Sequence, residues 1–136
     1  MNETLTIPRS LANRLLTLAQ LTPDAEICGF ISRREDQQYH VYPVDNIAAD
    51  SSRLFEMEPQ QQLAGFKNMR EQKESLFAIF HSHPHSAAIP SEKDLNDSSY
   101  TEALNIIISL SIQGVLDMRG YFYRNNSVEA VDLVID

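Results

Sequence analysis

Apolar positions at Leu11, Leu15, Leu18 and Ala19 repeat at helical spacing behind a proline suited to a first turn, and predict a helix from about Pro8 to Gln20. The segments EICGFISRR and QYHVYPVDNI that follow are rich in β-branched and aromatic residues and predict two strands joined by the polar turn REDQ. A short strand is expected at RLFEME. PQQQLAGFKNMREQK then opens on Pro59 and places Leu63, Phe66 and Met69 at helical spacing, predicting a second helix. SLFAIFHSHP is an apolar run closed by Pro84, as expected of a buried strand whose polar tip emerges at a sheet edge. SEKDLNDSSYTEAL predicts a third helix, and NIIISL, VLDMRGYFYR and SVEAVDLVI predict three more strands.

No repeat, low-complexity tract or linker interrupts this order. The expectation is one α/β domain over residues 1–136, built on a mixed sheet. A chain of 136 residues with 43% apolar content suits a single ordinary core.

Charge narrows the partners. Eleven basic against nineteen acidic residues give a formal charge of −8 with no basic run, which argues against nucleic acid and anionic lipid. The longest apolar stretch, NIIISLSI, is far too short to cross a bilayer, and the N-terminus lacks the pattern of a secretory signal. One cysteine, Cys28, excludes an internal disulfide and a multi-cysteine zinc site. The expected location is the cytoplasm.

The chemistry concentrates in FHSHPHSAAIPSEKDL. In an extended segment alternate side chains share a face, so His81 and His83 point the same way and Ser82 points opposite. Two imidazoles so placed can reach one metal. A catalytic zinc takes three protein ligands and leaves a position for water, so a nearby carboxylate or histidine should complete the set. Asp94 is the best candidate, eleven residues beyond His83 and three beyond Ser91, where a helix starts. The same Ser-x-x-Asp pattern also reads as a capping box, which needs no metal. His85 reads as a loop residue beside the site, His40 as structural, and Cys28 as a small buried hydrophobe rather than a nucleophile.

His81-Ser82-His83-Pro84, six intervening residues and Ser91-Glu92-Lys93-Asp94, with Glu26-x-Cys28-Gly29 far upstream, resemble the signature of the JAMM metalloproteases, the zinc-binding class of MPN domains. The resemblance extends to the order of helices and strands over nearly the whole chain. It implies an MPN-like domain, a curved mixed sheet flanked by about three helices. It also implies that His81, His83 and Asp94 bind Zn2+, that Glu26 is the general acid/base, and that Ser91 helps stabilise the oxyanion.

Family members that cut ubiquitin chains carry gripping insertions for which this length leaves little room. The chain is more similar to the short prokaryotic members. That likeness implies hydrolysis of the amide bond after the C-terminal Gly-Gly of a ubiquitin-like sulfur-carrier protein, with the tail lying beside RLFEME. A non-catalytic MPN scaffold is the alternative. A zinc deaminase is excluded, because it needs His-x-Glu and Pro-Cys-x-x-Cys.

Overall fold

The chain is described here by a computed structural model covering residues 3–96, 103–124 and 127–136. Its described residues form β1 (Glu3–Ile7), α1 (Arg9–Leu21), β2 (Cys28–Arg33), β3 (Tyr39–Val44), α2 (Pro59–Glu71), β4 (Ser75–His83), α3 (Glu92–Asn96), β5 (Leu104–Ser109), β6 (Asp117–Arg124) and β7 (Ser127–Ile135). The strands make one curled mixed sheet in the order β1-β7-β6-β5-β4-β2-β3. β1 with β7 and β4 with β5 run parallel; the other neighbours run antiparallel. Pro43, which has no N–H for a ladder, sits on the edge strand β3.

Strand alternation divides the core between two faces of the sheet. On one face Ile31, Ala78, Phe80, Ile106 and Ile108 pack with Leu11, Ala12, Leu15 and Ala19 of α1. Leu15 is fully buried there, so truncating it to alanine costs about 2–5 kcal/mol. On the other face Phe30, Val44 and Ile79 meet Met69 of α2, and Phe30 stacks between Tyr42 and Phe66 with centroids 5.0 and 4.6 Å away. His81 and His83 share parity with Ile79, so they belong to the α2 face, past the end of that apolar cluster.

Gly29 explains part of the Glu-x-Cys-Gly pattern. A Cβ at this position would collide with the Tyr42 carbonyl oxygen and come within 2.7 Å of the Phe80 ring. Only glycine lets β2 lie that close to its neighbours.

Several boundaries differ from the sequence expectation. β1 was not anticipated. RLFEME is no strand: Asn46 and Met57 form an isolated bridge, and the residues before Met57 run as an irregular segment. Leu63, placed by spacing on the buried face of α2, is 72% exposed, because Gly65 rather than Leu63 meets Phe30. The third helix is observed at Glu92–Asn96; the expected continuation over 97–102 lies outside the described residues, and Leu104 already belongs to β5. Among the described residues no helix is long and apolar enough to cross a membrane.

Candidate metal centre

The sheet fixes the histidines. At His81, β4 pairs with Cys28 of β2 on one side and with Ile107 of β5 on the other. The polar tip therefore does not emerge at an edge as expected: His81 and His83 are 1% and 3% exposed. Ser82 points the opposite way, where its Oγ accepts from the Ile27 N–H at 2.9 Å and its own N–H donates to the Ile27 carbonyl at 3.0 Å. This two-bond clamp holds the chain just before β2 against β4 and brings the adjacent Glu26 onto the histidine face.

Asp94 arrives from α3. Its Oδ2 lies 3.1 Å from His81 Nε2 and 3.3 Å from His83 Nε2, and the two Nε2 atoms are 3.1 Å apart. The ligand atoms of Glu26, His81, His83 and Asp94 all fall within 4.8 Å of one another. The capping reading of Ser91 is also realised. Ser91 Oγ accepts from the Asp94 N–H at 3.0 Å, while Asp94 Oδ2 accepts from the Ser91 N–H at 2.8 Å. The cap is compatible with the ligand reading of Asp94, because it aims the carboxylate at the histidines.

Electrostatics follow from that crowding. Burial pushes the Glu26 carboxyl up to about 8, with His83 pulling it down and Asp94 pushing it further up. Burial also raises Asp94, but hydrogen bonds from both imidazoles outweigh it and hold Asp94 below the usual carboxylate range. Burial lowers His81 despite Asp94, whereas at His83 the bonds to Asp94 and to the Ala87 carbonyl reverse the effect and raise it.

These residues fit a metal ion. Tetrahedral bonds of about 2.0–2.1 Å space their donors roughly 3.3–3.4 Å apart, close to the three separations seen here. Glu26 Oε1 is buried with no hydrogen-bond partner among the described residues, as an acceptor waiting for a donor would be.

The loop after β4 is tied to the sheet. His83 Nδ1 meets the Ala87 carbonyl at 2.8 Å, Ser109 Oγ donates to the Ser86 carbonyl at 2.7 Å, and Tyr121 donates to the Ala88 carbonyl at 2.6 Å. Beside the cluster a cavity of about 690 Å³ is lined by Phe55, Ile79, His81, Asp94, Asn105 and Tyr123, among others.

The remaining expectations sort cleanly. His85 is exposed and stands outside the four-residue cluster. His40 lies 3.5 Å from Glu74 Oε2 and against the Tyr42 ring, with the two planes tilted by 35°, away from the cluster, as a structural residue does. Cys28 is buried, its Sγ donates to the Val44 carbonyl at 3.4 Å, and burial pushes its thiol up to about 12, which disqualifies it as a nucleophile.

Sequence reasoning missed Asn46, Phe55 and Tyr123. Asn46 ties Glu26 to the cavity wall, Phe55 stacks on His81, and Tyr123 lines the cavity with a buried hydroxyl lacking a partner among the described residues. An Asp-Asn pair at the end of a predicted strand signals a turn, but nothing local shows what the turn holds.

The chain is 27% identical over 89 residues to a desampylase of Haloferax volcanii, covering 64% of each chain, and so spans just under two thirds of that relative's length. It is 28% identical over 106 residues to a desampylase of Pyrococcus furiosus, covering 78% of this chain and 74% of the other. Among solved structures, a protein from Desulfitobacterium hafniense superposes with a TM-score of 0.82 at 26% identity, over 96% of this chain and 92% of that one. A JAB1/MPN domain protein from Archaeoglobus fulgidus superposes with a TM-score of 0.60 at 19% identity, over 96% and 98%. The model of the family described as prokaryotic homologs of the JAB domain matches residues 8–122, from the residue that precedes α1 into β6. A match of that extent leaves only the ends outside, and the chain belongs to the prokaryotic JAB-domain family.

Proposed function

We propose that this chain is a zinc metallopeptidase of the JAMM type that hydrolyses the amide bond after the C-terminal Gly-Gly of a small ubiquitin-like protein of the sulfur-carrier kind. The observation that carries the reading is the convergence of two imidazole nitrogens and one carboxylate oxygen at 3.1–3.3 Å, with the Glu26 carboxyl beside them, its buried Oε1 without a hydrogen-bond partner among the described residues. Two relatives named desampylases support an isopeptidase.

His81, His83 and Asp94 would hold the ion, two neutral imidazoles and one carboxylate being a donor set that zinc accepts. When bound, zinc supplies a Lewis acid that brings the pKa of water near 7, and a positive charge that draws the Glu26 carboxyl back toward ionisation. Glu26 then accepts a proton from the attacking water and delivers it to the leaving amine. Ser91 Oγ accepts from the Asp94 N–H and keeps its own hydrogen for the oxyanion that develops on the scissile carbonyl. Burial of the cluster excludes bulk water and strengthens each of these interactions.

The substrate tail would lie in the cavity between Phe55 and Asn105. Residues without Cβ suit the approach to the buried Glu26 and Asp94.

The test is mass spectrometry of ubiquitin-like sulfur carriers with C-terminal extensions, incubated with the zinc-loaded protein and with Glu26→Gln. Cleavage after Gly-Gly by the wild type alone is the expected result. Cleavage elsewhere, or efficient trimming of ubiquitin dimers, overturns the substrate. A zinc-loaded protein that cuts none of the carriers is a scaffold rather than an enzyme.

A further inference from the structure

His81 and His83 are anchored by different means. The outer nitrogen of His83 meets the Ala87 carbonyl at 2.8 Å, the kind of contact that fixes tautomer and ring plane in metal-binding histidines. The outer nitrogen of His81, Nδ1, is buried and has no hydrogen-bond partner among the described residues. Buried polar atoms are seldom left unpaired, and on this side of the ring no hydrogen bond among the described residues sets its plane as Ala87 does for His83. Rotation about the bond from Cβ to the imidazole is governed by a broad, roughly two-fold torsion that does little to choose a plane by itself.

Asp94 and His83 meet the ring at Nε2, and the neighbour stacked on its face is Phe55. The two rings are stacked, with centroids 4.5 Å apart and planes inclined by 25°. Phe55 is half-buried in the irregular segment before Met57, and it lines the cavity together with His81 and Asp94. The Asn46 side chain bonds the backbone on both sides of it: the Leu54 carbonyl accepts from Asn46 Nδ2 at 2.9 Å, and the Glu56 N–H donates to Asn46 Oδ1 at 3.0 Å. The phenyl ring is thus carried on a fixed support.

We propose that Phe55 is the positioning residue of His81, its stacked ring setting the imidazole plane that the Ala87 carbonyl sets for His83. The inference rests on the metal reading of the cluster. It requires a flat partner: an aliphatic side chain of similar bulk covers Nδ1 from water but does not choose a ring plane.

The test measures zinc affinity by competition with a chromophoric chelator, and the visible spectrum of the Co2+-substituted protein, for the wild type and for Phe55→Ala, Phe55→Leu and Phe55→Tyr. Loss of an outer-shell partner costs about 10–100-fold in metal affinity, and that range is expected for Phe55→Ala and Phe55→Leu, with an altered Co2+ spectrum. Phe55→Tyr keeps the stacked ring and should restore both. If Phe55→Ala fails to fold, the Leu and Tyr variants still decide. Wild-type affinity and spectrum in Phe55→Leu overturn the inference while the metal reading stands. A wild type that takes up no stoichiometric zinc overturns the metal reading and this inference with it.

Discussion

Asn46 holds the backbone of Glu26, its Nδ2 donating to the Glu26 carbonyl oxygen at 2.9 Å. The same nitrogen donates to Leu54, while Oδ1 accepts from the N–H groups of Ala48 and Glu56. One amide therefore uses its whole hydrogen-bonding capacity to join the acid/base candidate to the cavity wall.

Asn46→Ala removes four hydrogen bonds worth about 0.5–1.5 kcal/mol each. The expected loss of stability is roughly 2–6 kcal/mol, measurable by denaturant unfolding. Turnover per folded molecule should also fall, because Glu26 loses its backbone anchor. Unchanged turnover would separate Asn46 from the site.

Glu26 makes the metal-free protein sensitive to alkali. Its carboxyl ionises near 4.5 when unfolded and near 8 when buried in the fold, so between these values the folded state binds more protons than the unfolded state. Stability from this group is full below about pH 4.5 and is lost as pH rises toward 8. Glu26→Gln should flatten that part of the curve in melting experiments on chelator-treated protein. A wild type and variant with parallel profiles would contradict the buried, protonated carboxyl.

Ser91→Ala should lower stability by about 1 kcal/mol through the lost cap. If its hydroxyl also serves the oxyanion, kcat of the fully zinc-loaded variant should fall by about 10²–10³. Calorimetry and kinetics at saturating zinc read the two effects separately. Loss of stability with unchanged kcat would leave Ser91 as a cap alone.

His83→Ala and Asp94→Ala should each abolish stoichiometric zinc in elemental analysis, whereas Glu26→Gln should retain it. Zinc retained by both of the first two variants would sink the ligand set; zinc lost from Glu26→Gln would make Glu26 a ligand.

What could be read from the sequence tracks how local the determining contacts are. His81 and His83 on one face follow from strand alternation, and Asp94 from one helical turn after Ser91; Glu26 came only through the family resemblance, since no spacing rule links it to the histidines. β1 was invisible because its partner is β7, at the other end of the chain, and five residues before a proline carry little pattern. RLFEME looked like a strand, yet the Asn46 side chain takes the Glu56 N–H that a ladder would need. Leu63 had the right spacing and the wrong neighbour, because α2 approaches Phe30 through Gly65.

The two histidines stand on a strand bonded on both sides, whereas Asp94 stands on five residues of helix. Opening β4 to solvent means breaking the middle of the sheet, so the amides of its paired residues should exchange with deuterium only as fast as the whole domain unfolds. α3, five residues long and outside the sheet, should open at far lower cost. If the cluster takes up a metal, uptake would be recorded in the exchange of residues 91–96 and hardly at all in β4, and Asp94 would be the closing arm of a half-built site.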